Sequence, residues 1–360
     1  MKIAMALAGL ALLVLAPSAS ARNAWTIAAP GDVGVDAAKL EGLPEAIASG
    51  RYPLTTSVLI VRDGKLAYER YFGDGAENRL NDTRSATKTL VALAIGKAIE
   101  SGAIPSADAP AFDYFRDMAP FANDGPVKRA ITLADLLTAS SALDCDDNND
   151  TPGNEENMYP QQIWTRFVLD LPTKADWSRD ASGRGPWAYC TAGSFLLGQI
   201  VQRATGERID RYMDRTLFLP LGITRRKWDQ SPSGEFQTGG GLEFTARDLA
   251  RLGWMMTDGG RWNGREVVAP SWLAAMMRPH REAFMDMRYG YQMWTRAYQS
   301  DCGPVEVWFM AGNGGNDVLA MPGLRAAAVV TRSAYNTRNM HQQTFELIQN
   351  FIIPALACRR

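Results

Sequence analysis

The sequence predicts an α/β (α+β) fold: an antiparallel sheet built from N- and C-terminal segments, flanked by helices, with a large helical insert. Segments rich in β-branched and aromatic residues lie near both ends of the 360-residue chain, within 55–72 and 289–332. The long stretch between them is mostly helical in composition. We therefore expect a sheet region at about 25–84 and 278–360 and a helical region at about 85–277.

Turn signals bound the individual strands. The first two, 55–62 and 65–72, are joined by Asp63-Gly64, a dipeptide typical of two-residue hairpins. Pro322-Gly323 marks another turn, between the last two strands. Near the C-terminus we expect four strands and a closing amphipathic helix, at 289–296, 305–311, 317–321, 324–332 and 338–356.

The most informative motif is Ser85-Ala86-Thr87-Lys88, which stands at the predicted start of a helix. An apolar stretch follows it as far as Ser101, and Gly102 is a typical residue just beyond a helix end. Residues i and i+3 share one face of a helix, so the Lys88 amine can reach the Ser85 hydroxyl. This pairing predicts an activated nucleophile. The alternative is an ordinary N-cap serine followed by a solvated lysine.

A tyrosine loop is the second candidate segment. Tyr189 precedes a helix predicted at 194–205, with Gly206 as its stop. We expect Tyr189 to act as a proton shuttle, with a lysine or a helix field lowering its pKa. The alternative is a half-buried loop aromatic.

The third segment is rich in glycine and follows a predicted strand. In Gly312-Asn313-Gly314 the small residues let the backbone approach a ligand and present N–H donors. A plain turn is the alternative. Trp187 and Trp164 are candidates for lining an acyl pocket, although tryptophans belong more often to a core.

Composition and charge exclude several classes of function. The formal net charge is −1, which gives no electrostatic footprint for nucleic acid or an anionic membrane. The two histidines, His280 and His341, sit in no recognisable catalytic setting, and the sequence has no G-x-S-x-G elbow. We expect a small-molecule ester or amide substrate, no nucleic-acid partner, no cofactor and no metal. The oligomeric state stays open.

The first residues predict export. Lys2, an apolar run over 3–16 and small residues up to Ala21 form a secretory signal over 1–21. A transmembrane anchor is the alternative. We expect a secreted or periplasmic protein with no stable membrane anchor and one hydrolase domain over 22–360.

Four cysteines in an exported chain permit three disulfide pairings. We favour Cys145 with Cys190, which flank the expected rim of the active site, and Cys302 with Cys358 in the C-terminal region. Buried or free thiols are the alternative. The acidic loop 144–150 lacks the glycine and terminal glutamate of an EF-hand loop, so we interpret it as a solvated rim loop rather than a calcium site.

Together and in this order, these segments and the glycine run 239–241 resemble the serine β-lactamase and penicillin-binding-protein superfamily. Within it they resemble the class C-like esterases and 6-aminohexanoate-dimer (nylon-oligomer) hydrolases. The resemblance implies Ser85 as nucleophile, Lys88 as its activating base partner and Tyr189 as the general base that later protonates the leaving group. It also implies an oxyanion hole made by the backbone N–H groups of Ser85 and Asn313.

Two positions depart from the pattern of that superfamily. Thr191 stands where its Tyr-x-Asn loop carries an amide, and Gly312-Asn313-Gly314 replaces the usual Lys-Thr-Gly or His-x-Gly. Without a cation beside Asn313, a substrate carboxylate lacks a charge-assisted partner. The sequence therefore predicts an exported serine hydrolase that cleaves small neutral esters or amides through an acyl-enzyme. The alternative is a catalytically weak, penicillin-binding-protein-like binder of cell-wall peptide or of a partner protein.

Overall fold

A computed structural model describes residues 24–358, so the predicted signal peptide lies outside the described residues. Its strands, numbered in chain order, are β1 (Thr55–Arg62), β2 (Lys65–Tyr71), β3 (Asn81–Asp82), β4 (Lys227–Trp228), β5 (Leu242–Phe244), β6 (Arg261–Trp262), β7 (Arg265–Glu266), β8 (Arg281–Glu282), β9 (Arg288–Tyr289), β10 (Trp294–Tyr298), β11 (Val305–Gly312), β12 (Asn316–Met321) and β13 (Ala326–Arg332).

The helices belong mainly to the central part of the chain and to its end. The α-helices are α1 (Leu43–Ala48), α2 (Thr87–Glu100), α3 (Pro126–Arg129), α4 (Leu133–Leu137), α5 (Glu155–Met158), α6 (Trp164–Asp170), α7 (Thr191–Thr205), α8 (Ile209–Met213), α9 (Ala246–Thr257), α10 (Pro270–Met276), α11 (Met340–Leu347) and α12 (Ile353–Leu356). The 3-10 segments are Pro30–Val33, Ala37–Leu40, Arg84–Ala86, Ala111–Met118 and Pro322–Leu324, and the π-helical segments are Asp214–Phe218 and Ile348–Ile352.

The main sheet has eight strands in the order β2-β1-β13-β12-β11-β10-β9-β8. Every neighbouring pair in it is antiparallel, and β1 from the N-terminal region pairs with β13 from the C-terminal region. Strands β3, β5 and β4 form a small second sheet beside the helical region. The predicted fold class is confirmed.

Both faces of the main sheet are covered, which explains why β1 is buried at every position. Leu59 and Val61 point into one core, which includes the apolar residues of α2, α7 and α9. Val58 and Ile60 point into the other core, which includes the C-terminal helices. This alternation follows from the period of two along a strand.

Two predicted elements near the C-terminus are interrupted. The expected strand 289–296 divides into β9 and β10 because Gln292 between them has a left-handed backbone, with φ 53°, and donates its N–H to Leu137 O at 2.8 Å. The expected helix 338–356 contains the π-helical segment between α11 and α12. Pro354 has no N–H to continue an α-helical ladder there.

Two disulfides cross-link the described chain, in the pairing favoured from the sequence. Cys145 bonds to Cys190, which joins the acidic loop to the Tyr189 loop. Cys302 bonds to Cys358, which joins the connection between β10 and β11 to the segment after α12. Within residues 24–358, no helix has the length and apolar character needed to cross a membrane.

Candidate active site

Ser85 lies in a tight turn between β3 and α2. The turn is the 3-10 segment Arg84–Ala86, and α2 begins at Thr87, two residues after the predicted start. Ser85 does not cap α2, whose N-cap residue is Ala86. Arg84 has φ 48°, uncommon for a residue with a side chain, and its N–H donates to Asp82 Oδ1 at 3.0 Å. The nucleophile candidate therefore follows a strained residue that neighbouring groups hold in place.

Lys88 is buried, with 2 % of its surface exposed. Its Nζ lies 2.9 Å from Ser85 Oγ, 2.8 Å from Thr191 Oγ1 and 2.6 Å from the carbonyl oxygen of Gly239. These acceptors come from the Ser85 turn, from the start of α7 and from the segment before β5. The alternative of a solvated lysine therefore does not describe this side chain.

Tyr189 completes this group. Its hydroxyl is hydrogen-bonded to Ser85, and Lys88 Nζ lies 4.8 Å from the centre of its ring. Burial raises the pKa of Tyr189, and Lys88 and the hydrogen bond from Ser85 offset that effect only in part. The expectation of a lowered pKa is wrong for this tyrosine. At neutral pH it is a phenol that can donate a proton.

The glycine-rich segment at the end of β11 packs directly on the Ser85 turn. A Cβ atom at Gly312 would overlap the carbonyl oxygen of Thr83 and crowd the Ala86 nitrogen at 3.2 Å, so only glycine fits. The next residue, Asn313, exchanges two hydrogen bonds of 2.8 Å with Asn336. These contacts fix the backbone of Asn313 beside the nucleophile candidate.

An open cavity of about 380 Å³ lies in front of Ser85. The residues that line it are Arg84, Ser85, Glu155, Glu156, Tyr159, Trp164, Asp229, Gln230, Gln237, Gly239, Gly240, Gly241, Asn313 and Asn336.

Four of the predicted substrate residues are not among those that line this cavity: Gly312, Gly314, Thr191 and Trp187. The Trp187 ring packs against Tyr189, with the ring centres 6.1 Å apart. The N–H of Gly314 donates to the sulfur of Met340 at 3.1 Å. Trp164, the other tryptophan considered, does line the cavity.

Sequence reasoning missed two residues near the centre. Asp147 is partly buried, and its Oδ2 accepts the N–H of Thr191 at 2.7 Å, so the interpretation of a solvated loop fails for it. The sequence signal that could have identified Asp147 was its position two residues after Cys145, a cysteine expected at the rim of the active site. Gln237 is 3 % exposed, lines the cavity and accepts the N–H of Gly239 through Oε1 at 2.9 Å. No motif identified Gln237.

Comparison with known proteins matches residues 49–347 to the Beta-lactamase family. The 6-aminohexanoate-dimer hydrolase of Paenarthrobacter ureafaciens is 28 % identical over 241 residues, which cover 64 % of this chain and 59 % of that enzyme. The chain thus spans less than two thirds of the length of this relative. The resemblance inferred from the sequence is confirmed.

Solved structures share the fold at low sequence identity. A penicillin-binding protein homologue from Pyrococcus abyssi has a TM-score of 0.66 and 20 % identity, covering 89 % of this chain and 79 % of that one. A D-stereospecific amidohydrolase from a Streptomyces species has a TM-score of 0.64 and 16 % identity, and the match covers 86 % of this chain and 98 % of that one. These likenesses show the fold that the chain shares with these proteins.

The contact between Gly312 and the Ser85 turn gives a testable prediction. Gly312→Ala should push the end of β11 away from Thr83 and displace the Asn313 N–H. We expect kcat to fall about 10²- to 10³-fold, as when one oxyanion donor is lost. Gly323→Ala is the matched control, because a Cβ there meets no atom within 4 Å. Normal turnover by Gly312→Ala, measured with a p-nitrophenyl ester, would contradict this role.

Proposed function

The chain belongs to the beta-lactamase family, and on this premise we propose that it is an exported serine hydrolase that cleaves small neutral esters or amides through an acyl-enzyme. One observation carries the proposal. The Nζ atom of Lys88 lies 2.9 Å from Ser85 Oγ, and the Tyr189 hydroxyl is hydrogen-bonded to the same serine. Ser85 itself lines an open cavity.

Acylation uses the three side chains in sequence. Ser85 Oγ attacks the substrate carbonyl carbon while its proton passes to Lys88 in the amine form. The bond to the leaving group then breaks, and the leaving atom takes the phenolic proton of Tyr189. Tyr189 recovers a proton from Lys88, and the products are an ester of Ser85 and the free alcohol or amine. Burial raises the pKa of Tyr189, so at neutral pH its phenol is protonated and holds the proton that the leaving atom takes.

Deacylation repeats these steps with water as the nucleophile. Water gives a proton to Lys88, attacks the acyl carbon and releases the acid as Ser85 regains its proton. In both halves negative charge develops on the carbonyl oxygen. The backbone N–H groups of Ser85 and Asn313 are the proposed donors to it, and their geometry depends on the packing of Gly312.

The charges around the cavity support neutral rather than anionic substrates. Three carboxylates, those of Glu155, Glu156 and Asp229, line it. Arg84 is the cation among the described lining residues, and its guanidinium pairs with Asp82 at 2.7 Å. A substrate carboxylate would therefore face three carboxylates, and the one cation among the described lining residues already carries an acidic partner.

The two disulfides of the chain support export. Two disulfides persist in oxidising compartments such as the periplasm and are rare in the cytosol. We propose that residues 1–21 direct the chain there and that 22–360 form the hydrolase domain.

The nucleophile assignment predicts that Ser85→Ala abolishes turnover and covalent labelling by a fluorophosphonate probe. Ser85 caps no helix, but its hydroxyl is one of the polar partners of buried Lys88, so the variant should stay folded with at most a modest loss of melting temperature. Ser106→Ala, at an exposed serine, is the control and should label normally. Labelling that survives in Ser85→Ala would assign the nucleophile elsewhere. A wild type that cannot be labelled would favour the non-catalytic binder.

The acidic lining predicts substrate preference. A neutral p-nitrophenyl ester should give a much higher kcat/KM than nitrocefin, whose carboxylate meets the acidic wall. Glu156→Lys should improve nitrocefin relative to the ester by about 1 kcal/mol, roughly fivefold, and added salt should reduce the gain. Glu41→Lys, the same charge change outside the cavity lining, is the control. Wild-type nitrocefin hydrolysis equal to ester hydrolysis would refute the neutral-substrate proposal.

A further inference from the structure

We propose that Asp147 is a positioning residue of this active site: acting through Thr191, it holds Lys88 in place and stabilises the ammonium that forms when Lys88 takes the proton of Ser85. The inference rests on the proposed function. It assigns a role to a carboxylate on the acidic loop and to the threonine at the position where the superfamily's loop carries asparagine.

The contact between Asp147 and Thr191 is direct. Asp147 Oδ2 accepts the backbone N–H of Thr191 at 2.7 Å, and the Thr191 hydroxyl is also hydrogen-bonded to this carboxylate. Asp147 Oδ1 accepts the N–H of Glu155 at 3.0 Å. The carboxylate is therefore held on both oxygens, and its orientation toward Thr191 is fixed.

The Thr191 hydroxyl connects this carboxylate to the lysine. Its oxygen accepts a hydrogen bond from Lys88 Nζ at 2.8 Å, and the same hydroxyl is hydrogen-bonded to the Asp147 carboxylate, which when ionised can only accept. A hydroxyl can accept and donate at once, so Thr191 transmits the negative charge of Asp147 toward Lys88. An asparagine at position 191 would put an amide group, instead of this hydroxyl, between Lys88 and Asp147.

Covalent and backbone contacts hold Asp147 beside Thr191. The Cys145–Cys190 disulfide joins the residue two before Asp147 to the residue just before Thr191. The N–H of Asp147 also donates to the carbonyl oxygen of Tyr189 at 2.7 Å. The acidic loop is thus fastened along the segment that carries the proton-transfer groups, as a positioning role requires.

The chemical step gives this arrangement its purpose. When Ser85 Oγ bonds to the substrate carbon, its proton moves to Lys88, and a neutral amine becomes a buried ammonium. A charge created away from water is costly unless an opposite charge faces it. Asp147 supplies that charge through one hydroxyl and takes no proton itself. The proton leaves Lys88 again when Tyr189 is reprotonated.

The protonation state of Asp147 then links activity to pH. The titratable groups that face it are Lys88 on α2, Tyr189 on its loop, Glu155 at the start of α5 and Tyr159 just after that helix. Burial raises the pKa of Asp147 to about 6, although Lys88 acts in the opposite direction. Below this pH the carboxylate is neutral and its support for the ammonium is lost. Activity should therefore fall as pH decreases through about 6.

The test compares Asp147→Asn with Asp146→Asn. Asp146 is the matched control because it belongs to the same loop and accepts hydrogen bonds from Asn148 and Asn149. We would measure kcat, KM and the rate of fluorophosphonate labelling from pH 4.5 to pH 8, with the melting temperature as a check on folding. Thr191→Val removes the connecting hydroxyl, and Thr191→Ser retains it.

Asp147→Asn should lower kcat and the labelling rate about 10- to 100-fold, by analogy with the effect of removing partners that orient a functional group. KM should change little, and the part of the decline in kcat/KM that protonation of Asp147 causes near pH 6 should disappear. Thr191→Val should show the same loss, Thr191→Ser should restore most of the rate, and combining Asp147→Asn with Thr191→Val should add no further loss.

Three results would overturn the inference. The first is wild-type labelling by Asp147→Asn at pH 7, and the second is an unchanged acid limb in that variant. The third is an equal loss in Asp146→Asn, which would indicate a structural role of the loop. If the wild type itself cannot be labelled, the proposed function fails and this inference fails with it. If the wild type is labelled normally and Asp147→Asn changes neither the labelling rate nor kcat, only the inference is refuted.

Discussion

The structure around the site depends on one buried amine. Lys88 is almost fully enclosed, and a buried amine needs acceptors for its hydrogens. Thr191 and Gly239 provide them at 2.8 and 2.6 Å, and Ser85 Oγ lies 2.9 Å from Nζ, where it can give its proton to the amine. Ser85 is more than a hundred positions before Thr191 and Gly239 in the sequence. The fold must therefore bring the starts of two helices and the segment before β5 to one point. The nucleophile, its proton acceptor and the oxyanion region share this centre.

This convergence restricts the residues that pack around it. A Cβ at Gly239 would lie 2.8 Å from the Thr191 side chain, so the segment can approach α7 only without one. Gln292 performs a similar task deeper in the protein. It accepts from Ser194 at 2.8 Å and donates to the carbonyl oxygen of Leu136 at 2.7 Å, which ties the sheet to the helical region. Such fully bonded polar groups favour a single arrangement of the two regions.

The sequence predicted those elements in which a local pattern matches the final environment. The β1–β2 hairpin follows its Asp-Gly turn, and the helix after Ser85 ends where Gly102 adopts φ 76°. Other features depend on distant neighbours and leave no local pattern. Gln292 interrupts a strand because of contacts with Leu137, and the raised pKa of Tyr189 arises from burial by other segments. Asp147 looks like a solvated acid until the Cys145–Cys190 pairing places it against Thr191.

The central claim is that Lys88 accepts the proton of Ser85, and the acylation rate of Lys88→Arg tests it most directly. Arginine keeps the positive charge and the hydrogen-bond donors, but it does not deprotonate in proteins. The measurement is the rate of acyl-enzyme formation on a p-nitrophenyl ester from pH 6 to pH 9, with the melting temperature recorded beside it. The account predicts a folded protein that forms almost no acyl-enzyme at any pH. Acylation of Lys88→Arg at the wild-type rate would contradict this account. It would show that residue 88 acts only through its positive charge.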